Sequence, residues 1–306
     1  MKHSIKVTAL LLGMFFLTQL IGLAVLNAYS PEVKQVIDSS GNIANITSYN
    51  LPYGTEPPQD TNPKINLISI IIALFIALSI MLVLMKFQAE IILRVWFFIV
   101  IIIALAITIN AALLGIIHSS LIALVLAIPL AFFKVFKRNI LVHNLTELAI
   151  YPGIAAIFVP LLNIWTIIIL LILISIYDVY AVWHSGFMQK MAKYQIKKVR
   201  VFSGFFIPYI GSKQKELLAK VKKSDVKSKK IKVHVAILGG GDVVFPIILA
   251  GVVLRALGPI QALLISIGAT IALALLFYYS EKGKFYPAMP FISAGCFVAL
   301  LLAYLI

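Results

Sequence analysis

Nine long apolar runs, separated by more polar segments, leave this chain few ways to fold. Inside a bilayer every backbone polar group needs a partner within the protein, so an apolar run of about 20 residues is stable there only as a helix. Of the 306 residues, 62% are hydrophobic and 12% are charged, whereas soluble domains carry about 25% charged residues. The sequence therefore predicts an all-α polytopic membrane protein with about nine transmembrane helices.

The predicted spans divide the chain into three parts: an N-terminal bundle over 1–183, a basic loop over 184–232 and a C-terminal bundle over 233–306. The first span follows Lys2 and Lys6, as a signal peptide would, but its apolar run exceeds the roughly 7–15-residue core of such a signal. We therefore interpret it as a retained helix. The nine candidate spans are 7–27, 65–85, 95–117, 119–133, 145–162, 164–183, 233–254, 259–280 and 288–306.

The positively charged residues predict how the spans are oriented. With the N-terminus inside and the spans alternating, 23 of the 26 Lys and Arg residues fall on the inner side. The 184–232 loop supplies 14 of them, and without it the division is still nine to three. Because cytosolic segments carry the excess of Lys and Arg, we expect a cell-membrane protein with its N-terminus and this loop in the cytosol and its C-terminus outside.

The net charge of +15 is also compatible with nucleic-acid binding. Most of this charge lies in the 184–232 loop, whose lysine-rich end is almost free of aromatic residues. A juxtamembrane loop of this composition is attracted to anionic lipid headgroups. We therefore interpret it as a solvated loop, and we expect the lipid bilayer and no nucleic acid as a partner.

Two carboxylates stand out because they lie inside predicted spans. The chain has eleven Asp and Glu residues, and most fall in loops or turns; Glu147 is placed at the inner start of the fifth span, where a helix N-terminus favours a carboxylate. Asp178 in the sixth span and Asp242 in the seventh remain. A charge at the centre of a bilayer costs roughly 2.5–3.5 kcal/mol on insertion scales, so these two acids need an explanation.

Helix geometry places the two acids at similar depths. At 1.5 Å per residue, Asp178 lies about 8 Å before Trp183, and Asp242 lies about 13 Å beyond Val233. The sixth span enters the cytosol and the seventh returns from it, so both acids fall in the inner half of the membrane. Two such carboxylates cannot both ionise cheaply, and we expect them to share a proton. An aspartyl hydrolase uses such a pair: one carboxylate activates water and the other polarises the scissile carbonyl.

Other interpretations of the two acids remain open at this stage. Asp178 can be a structural acid that is hydrogen-bonded to Tyr177 or Tyr180, or the pair can form the proton or cation site of a transporter or channel. We find no partner for the glycine run in the N-terminal half, as an inverted repeat would require. We expect no metal and no cofactor, because the five His residues are isolated, no H-E-x-x-H motif is present and Cys296 is the single cysteine.

Two further features fall on the same inner layer. Gly239, Gly240 and Gly241 precede Asp242, and in a helix interior each costs about 1 kcal/mol relative to Ala. They allow another backbone to approach, which suits either tight helix packing or an extended peptide. Prolines at 287 and 290 open the ninth span. Irregular backbone at membrane depth is tolerated only where it is buried or lines a wet cavity, so we expect a hydrated site here.

At these residues the sequence resembles the presenilin and signal peptide peptidase family of intramembrane aspartyl proteases, and the short chain, rich in lysine and isoleucine, looks like a microbial (archaeal) presenilin homologue. Tyr177-Asp178 matches the family's YD motif, and Gly239-Gly240-Gly241-Asp242 matches its GxGD motif. Pro287-Ala288-Met289 stands where the family has PAL. The nine-span layout extends the match to nearly the whole chain. A prepilin-type peptidase also uses a GxGD aspartate, but the number of spans and the proline motif argue against it.

The resemblance implies that Asp178 and Asp242 are the catalytic pair of a protease that cuts transmembrane-helix substrates, and it leaves the need for partner subunits undecided. It also implies that Pro287-Ala288-Met289 supports the site and substrate docking, with Tyr177 and the three glycines as further site residues. The departures are Met289 in place of Leu and Gly240 where members often carry a larger apolar residue. The predicted orientation is that of presenilins, because signal peptide peptidases place the loop between the aspartates outside the cytosol.

Overall fold

The structure, a computed structural model, has a helical core to which two short hairpins are added. It describes residues 5–37, 43–57, 62–137, 139–184, 191, 194–199, 201–209, 234–281 and 286–306. The helices are α1 (Ile5–Ala28), α2 (Pro63–Lys86), α3 (Glu90–Ala112), α4 (Ser119–Phe136), α5 (Ile140–Phe158), α6 (Ile164–Val179), α7 (Gly240–Ala256), α8 (Pro259–Tyr279) and α9 (Met289–Ala303). The strands are β1 (Glu32–Ile37), β2 (Ile43–Ser48), β3 (Gly204–Tyr209) and β4 (His234–Gly239), paired antiparallel as β1–β2 and β3–β4.

The predicted all-α polytopic membrane fold is confirmed. Among the described residues, seven helices are long and apolar enough to cross a membrane, namely α1 to α6, with α5 and α6 extended by short turns, and α8. The other two, α7 with 17 residues and α9 with 15, are shorter. The outer surface is apolar. Only 11% of the most apolar 18-residue stretch of α2 is buried, as expected for a helix that faces lipid.

Some observed helix ends differ from the predicted ones, because a cap residue or a break in the backbone determines where the helix begins or ends. The third helix was predicted over 95–117, but α3 ends at Ala112 because Gly115 and His118 adopt positive φ angles of 92° and 59°. The fifth was predicted to begin at 145, but Asn139 caps α5 by accepting hydrogen bonds from the backbone N–H groups of Leu141 and Val142. This earlier start places Glu147 in the interior of α5.

The seventh span differs most from the prediction. The apolar run that begins at 233 is first a strand, β4, and only from Gly240 a helix. Along β4, Ala236 and Leu238 are buried while Val235 and Ile237 are exposed, which is the two-residue alternation of a strand. A short apolar run does not distinguish a buried strand from a helix by itself, and that ambiguity explains the error.

The partner of β4 comes from the segment that was predicted to be a solvated loop. Within 184–232, the chain forms β3, whose residue Gly204 lies opposite Gly239 and whose residue Phe205 is fully buried. The described part of this segment is therefore packed against the helices, chiefly α5. Most of the lysine-rich end of the predicted loop, 210–232, lies outside the described residues.

The core of the bundle is built around α1, which packs against α5, α7 and α8. Small residues allow close contacts between helices: a Cβ atom on Gly153 of α5 would lie 2.0 Å from the carbonyl oxygen of Ala104 on α3. Gly268 of α8 and Gly295 of α9 approach each other in the same way. On one side of this core, α6 packs against α7 and α9, and the two predicted acids lie there.

Candidate active site

Asp178 lies one residue from the end of α6 and is buried, with 4% of its surface exposed. Its Oδ2 atom accepts a hydrogen bond from the backbone N–H of Met289 at 3.1 Å, and the backbone N–H of Ala288 also donates to the carboxylate. These two residues are the N-cap and the first residue of α9. The first N–H groups of a helix have no acceptor inside it, and the helix dipole favours negative charge there. The start of α9 therefore forms a binding site for the Asp178 carboxylate.

A second contact ties α6 to α9 one turn away from the acid. The Ser175 hydroxyl donates to the Ser293 hydroxyl at 3.0 Å. Because Ser175 precedes Asp178 while Ser293 follows Met289, the two helices run antiparallel at this contact. The start of α9 is also set by its prolines: Pro287 is buried before the helix, and Pro290, which has no N–H, occupies its first turn.

Asp242 lies in the first turn of α7 and is half-buried. The backbone N–H of Gly239, the N-cap residue of α7, donates to its carboxylate. An acidic side chain three residues into a helix that accepts from the N-cap N–H is one half of a capping box. Asp178 lies close enough to exert an electrostatic effect on Asp242. The structure thus brings the two predicted acids together, each at the N-terminus of a different helix.

The sequence had suggested that the three glycines lie in a helix interior, but Gly239 precedes α7, and Gly240 and Gly241 are its first two residues. Gly239 ends β4 and has the extended angles φ −65° and ψ 147°, so the run marks the junction of strand and helix. A Cβ on Gly240 would lie 2.7 Å from the Ser203 hydroxyl and 2.9 Å from the Tyr151 hydroxyl, whereas one on Gly241 would meet Phe245 at an ordinary 3.7 Å. Gly240 is therefore the glycine of this run that the packing requires most.

Hydrogen bonds to other parts of the protein stabilise the first turn of α7. Pro246 follows Asp242 by four residues and has no N–H, so the Asp242 carbonyl lacks the usual helical donor. One residue further, the Val243 carbonyl accepts a hydrogen bond at 3.1 Å from the side-chain amide of Gln19, which is fully buried on α1. The Gly240 N–H donates to the Ser203 carbonyl at 3.2 Å. Contacts from α1 and from the segment before β3 thus supplement the hydrogen bonds of α7 itself.

Tyr177, which was expected to be a hydrogen-bonding neighbour of Asp178, is 37% exposed. It lies within electrostatic range of the Asp178 carboxylate, but the hydrogen bonds found for that carboxylate come from the backbone of α9. The sequence does not predict backbone donors, because a backbone N–H is common to almost all residue types. Tyr180, the other tyrosine considered, stacks on His184 with 5.8 Å between ring centroids.

Sequence reasoning missed a group of polar residues behind Asp242. Glu147, placed at the start of a helix by the sequence analysis, is buried inside α5 and forms an ion pair with Lys134 of α4 at 2.5 Å. Lys134 had been counted among the inner-side charges, but it is 7% exposed. The sequence spacing could have predicted this group, because His143, Glu147 and Tyr151 are spaced by four residues and so share one face of a helix.

The chemistry available to the site is that of acids. Within the described ranges, no group of three or more His, Cys, Asp or Glu residues has a geometry that suits a metal ion. Two carboxylates in electrostatic contact can divide the roles of base and acid if they share one proton. The arrangement of Asp178 and Asp242 therefore suits general acid–base catalysis with water as the nucleophile.

We predict that Gly240→Ala lowers both thermal stability and activity, because the added methyl group collides with the hydroxyl groups of Tyr151 and Ser203. Overpacking of this kind typically costs about 1–3 kcal/mol. The matched control is Gly241→Ala, whose methyl group makes one ordinary contact and which should retain most of the thermal stability. Thermal unfolding of both variants in detergent measures the difference, and equal losses would contradict this account of the glycines.

Comparison with known proteins gives a family match and similar solved structures. A family model described as signal-peptide peptidase, presenilin aspartyl protease matches residues 43–306. One similar solved structure, described as a presenilin family intramembrane aspartate protease in the C222 space group, superposes with a TM-score of 0.57 at 17% identity and covers 97% of this chain and 98% of that chain. A second, described in the same words but in the P2 space group, gives 0.55 at 17% identity with 96% of each chain covered.

At this identity the two structures show the fold alone, and a comparison with curated proteins found no match. The family model, however, covers most of the chain and every element that carries the two carboxylates. The chain therefore belongs to the signal-peptide peptidase and presenilin family and is an intramembrane aspartyl protease.

Proposed function

We propose that Asp178 and Asp242 are the catalytic pair of this protease and hydrolyse peptide bonds within transmembrane segments of other membrane proteins. The observation that carries the proposal is their placement: each carboxylate accepts from backbone N–H at the start of a helix, α9 for Asp178 and α7 for Asp242, and the two acids lie within electrostatic range of each other.

The two carboxylates divide the reaction between them. The unprotonated carboxylate removes a proton from water as the water oxygen attacks the scissile carbonyl carbon, and the protonated one gives its proton to the carbonyl oxygen. The resulting tetrahedral intermediate is a gem-diol. As its C–N bond breaks, the carboxyl group that took the water proton gives it to the leaving amine, and the other carboxylate takes a proton from one of the two hydroxyl groups. The pair then again holds one proton, so the cycle needs no cofactor.

The β3–β4 hairpin supports a way to present the substrate. A peptide bond inside a helix is shielded, so a transmembrane substrate must become extended where it is cut. A two-stranded sheet leaves one edge of each strand without a strand partner, and an extended peptide can pair with such an edge. Because β4 runs directly into Gly239 and α7, a peptide on this sheet would be led towards Asp242.

The orientation remains the one that the charges predict, with a small correction. Lys134 is buried in its ion pair and does not report on the side of the membrane. Without it and without the 14 charges of the 184–232 loop, the division is still eight inside to three outside. We propose that the N-terminus and the 184–232 segment are cytosolic and that the acids lie in the inner half of the membrane.

The transporter alternative has no support from the family match. Family members act on transmembrane substrates in the bilayer. A pair of carboxylates bound at helix N-termini suits the hydrolysis of a peptide bond in such a substrate. We therefore propose no second function.

We predict that Asp178→Asn and Asp242→Asn each abolish cleavage of a single-span test substrate in liposomes. Asn keeps the shape of Asp but neither shares a proton nor acts as a base at this site. The control is Glu56→Gln, which removes an exposed acid outside the membrane helices and should leave cleavage intact. Full activity in either Asp variant would disprove the pair.

We predict that Met289→Pro lowers kcat about 10- to 100-fold, because it deletes the N–H that donates to Asp178, and a hydrogen bond to a charged group contributes about 1.5–3 kcal/mol. Proline is tolerated at the first position of a helix, but Ala288 before it has the α-region angles φ −85° and ψ −34°, which a following proline disfavours, so thermal unfolding must first show that α9 still forms. Met289→Leu keeps the N–H and a similar volume and is the matched control. Cleavage kinetics and thermal unfolding of both variants make the test, and equal kcat values would count against the role of this N–H.

A further inference from the structure

We propose that Tyr151 is a positioning residue for Asp242, and that Glu147, held by Lys134, sets its hydroxyl. The inference rests on the proposed catalytic pair and adds to it a buried polar chain that runs from α4 through α5 to the first turn of α7. None of these three side chains touches the reacting atoms. They act through the backbone at Gly240.

The series of buried polar groups begins with an ion pair whose presence is not well explained by a contribution to stability alone. The Lys134 ammonium lies 2.5 Å from Glu147 Oε1, and both side chains are 1% exposed. Burial removes the hydration of both ions, so replacing such a pair by apolar residues is often neutral or stabilising. The ammonium also lies 3.4 Å from His143 Nδ1, while His143 Nε2 lies 2.8 Å from the Gly204 carbonyl oxygen at the start of β3. The pair is thus built into the contact between α5 and the hairpin.

Tyr151 follows Glu147 by one helical turn and is 1% exposed. Its hydroxyl lies beside Glu147 and Ser203 and within electrostatic range of Asp242. Neither this hydroxyl nor Glu147 Oε2 makes a well-aligned hydrogen bond to the residues that the structure describes. Two buried polar atoms one turn apart on α5 are therefore left without such a bond, and we infer that they pair with each other. Unpaired buried groups of this kind are costly, which favours this pairing.

The hydroxyl of Tyr151 also occupies the space beside Gly240. A Cβ there would lie 2.9 Å from this hydroxyl, and Gly240 is the first residue of α7, two residues before Asp242. The ring is held on its other side by Phe205 of β3, edge to face, with 5.8 Å between centroids. Tyr151 therefore fixes where β4 turns into α7, and the direction of that turn sets the position of the Asp242 carboxylate.

This placement predicts an effect on the chemical step. A displacement of about 1 Å in a catalytic group can cost about 100-fold in rate. Substrate affinity depends on other surfaces, so removal of the hydroxyl should lower kcat and leave KM nearly unchanged. A purely structural role would instead lower thermal stability and leave the kcat of the folded enzyme intact.

The test is Tyr151→Phe, which removes the hydroxyl and keeps the ring on Phe205. With a single-span substrate in liposomes we expect kcat to fall about 10- to 100-fold while KM and thermal stability stay close to those of the wild type. The matched control is Tyr194→Phe. It also deletes a buried hydroxyl that has no hydrogen-bond partner among the described residues, but Tyr194 is not one of the proposed site residues, so kcat should stay at the wild-type value. An unchanged kcat in Tyr151→Phe, a rise in KM instead, or an equal fall in Tyr194→Phe overturns the proposal.

A second comparison covers the case in which Tyr151→Phe fails to fold. The double variants Lys134→Met/Glu147→Gln and Lys134→Met/Glu147→Leu both remove the ion pair, but only the first keeps an oxygen that can accept from Tyr151. We expect the Gln variant to have about a tenfold higher kcat than the Leu variant at equal thermal stability. Equal kcat values overturn the role of Glu147. Loss of activity in both Asp→Asn variants together with no effect here would reject this inference alone and leave the catalytic pair standing.

Discussion

The structure depends on hydrogen bonds between two carboxylates, one buried and one half-buried, and backbone N–H groups at the starts of helices. A carboxylate inside a membrane is unfavourable unless donors replace the water it has lost. Asp178 takes its donors from Ala288 and Met289 at the start of α9, and Asp242 takes one from Gly239 at the start of α7. The pairing of Asp178 requires the end of α6 to meet the beginning of α9, and the electrostatic effect of Asp178 on Asp242 places the beginning of α7 near them. The short motifs around the acids follow from this requirement.

The same requirement explains why the rest of the bundle supports one turn of α7. Asp242 lies where a strand becomes a helix, and Pro246 removes one of the hydrogen bonds that would stiffen this turn. Gln19 from α1, the Ser203 carbonyl and the Tyr151 hydroxyl surround the turn instead. A carboxylate placed by several separate elements can be held accurately without a rigid helix around it, which is what acid–base catalysis requires.

Residue type and spacing predicted much of this arrangement. The apolar runs predicted the helical membrane fold, and the intramembrane position of Asp178 and Asp242 singled them out before any geometry was known. The prediction was wrong at 234–239, because a run of six mostly apolar residues fits a strand as well as a helix, and the pairing with β3 that decides between them is a long-range contact. Glu147 was misplaced because the cap at Asn139 moved the start of α5. Backbone donors to Asp178 leave no trace in residue type.

The central claim is that Asp178 and Asp242 act on one reacting centre. A transition-state analogue with a hydroxyl group in place of the scissile carbonyl should contact both acids, so its affinity for the wild type, for each Asp→Asn variant and for the double variant tests the claim most directly. If the acids share one ligand group, each single variant weakens binding by about 100-fold or more and the double variant is little weaker than the worse single variant. Independent losses that multiply in the double variant, or wild-type affinity in either single variant, would contradict it.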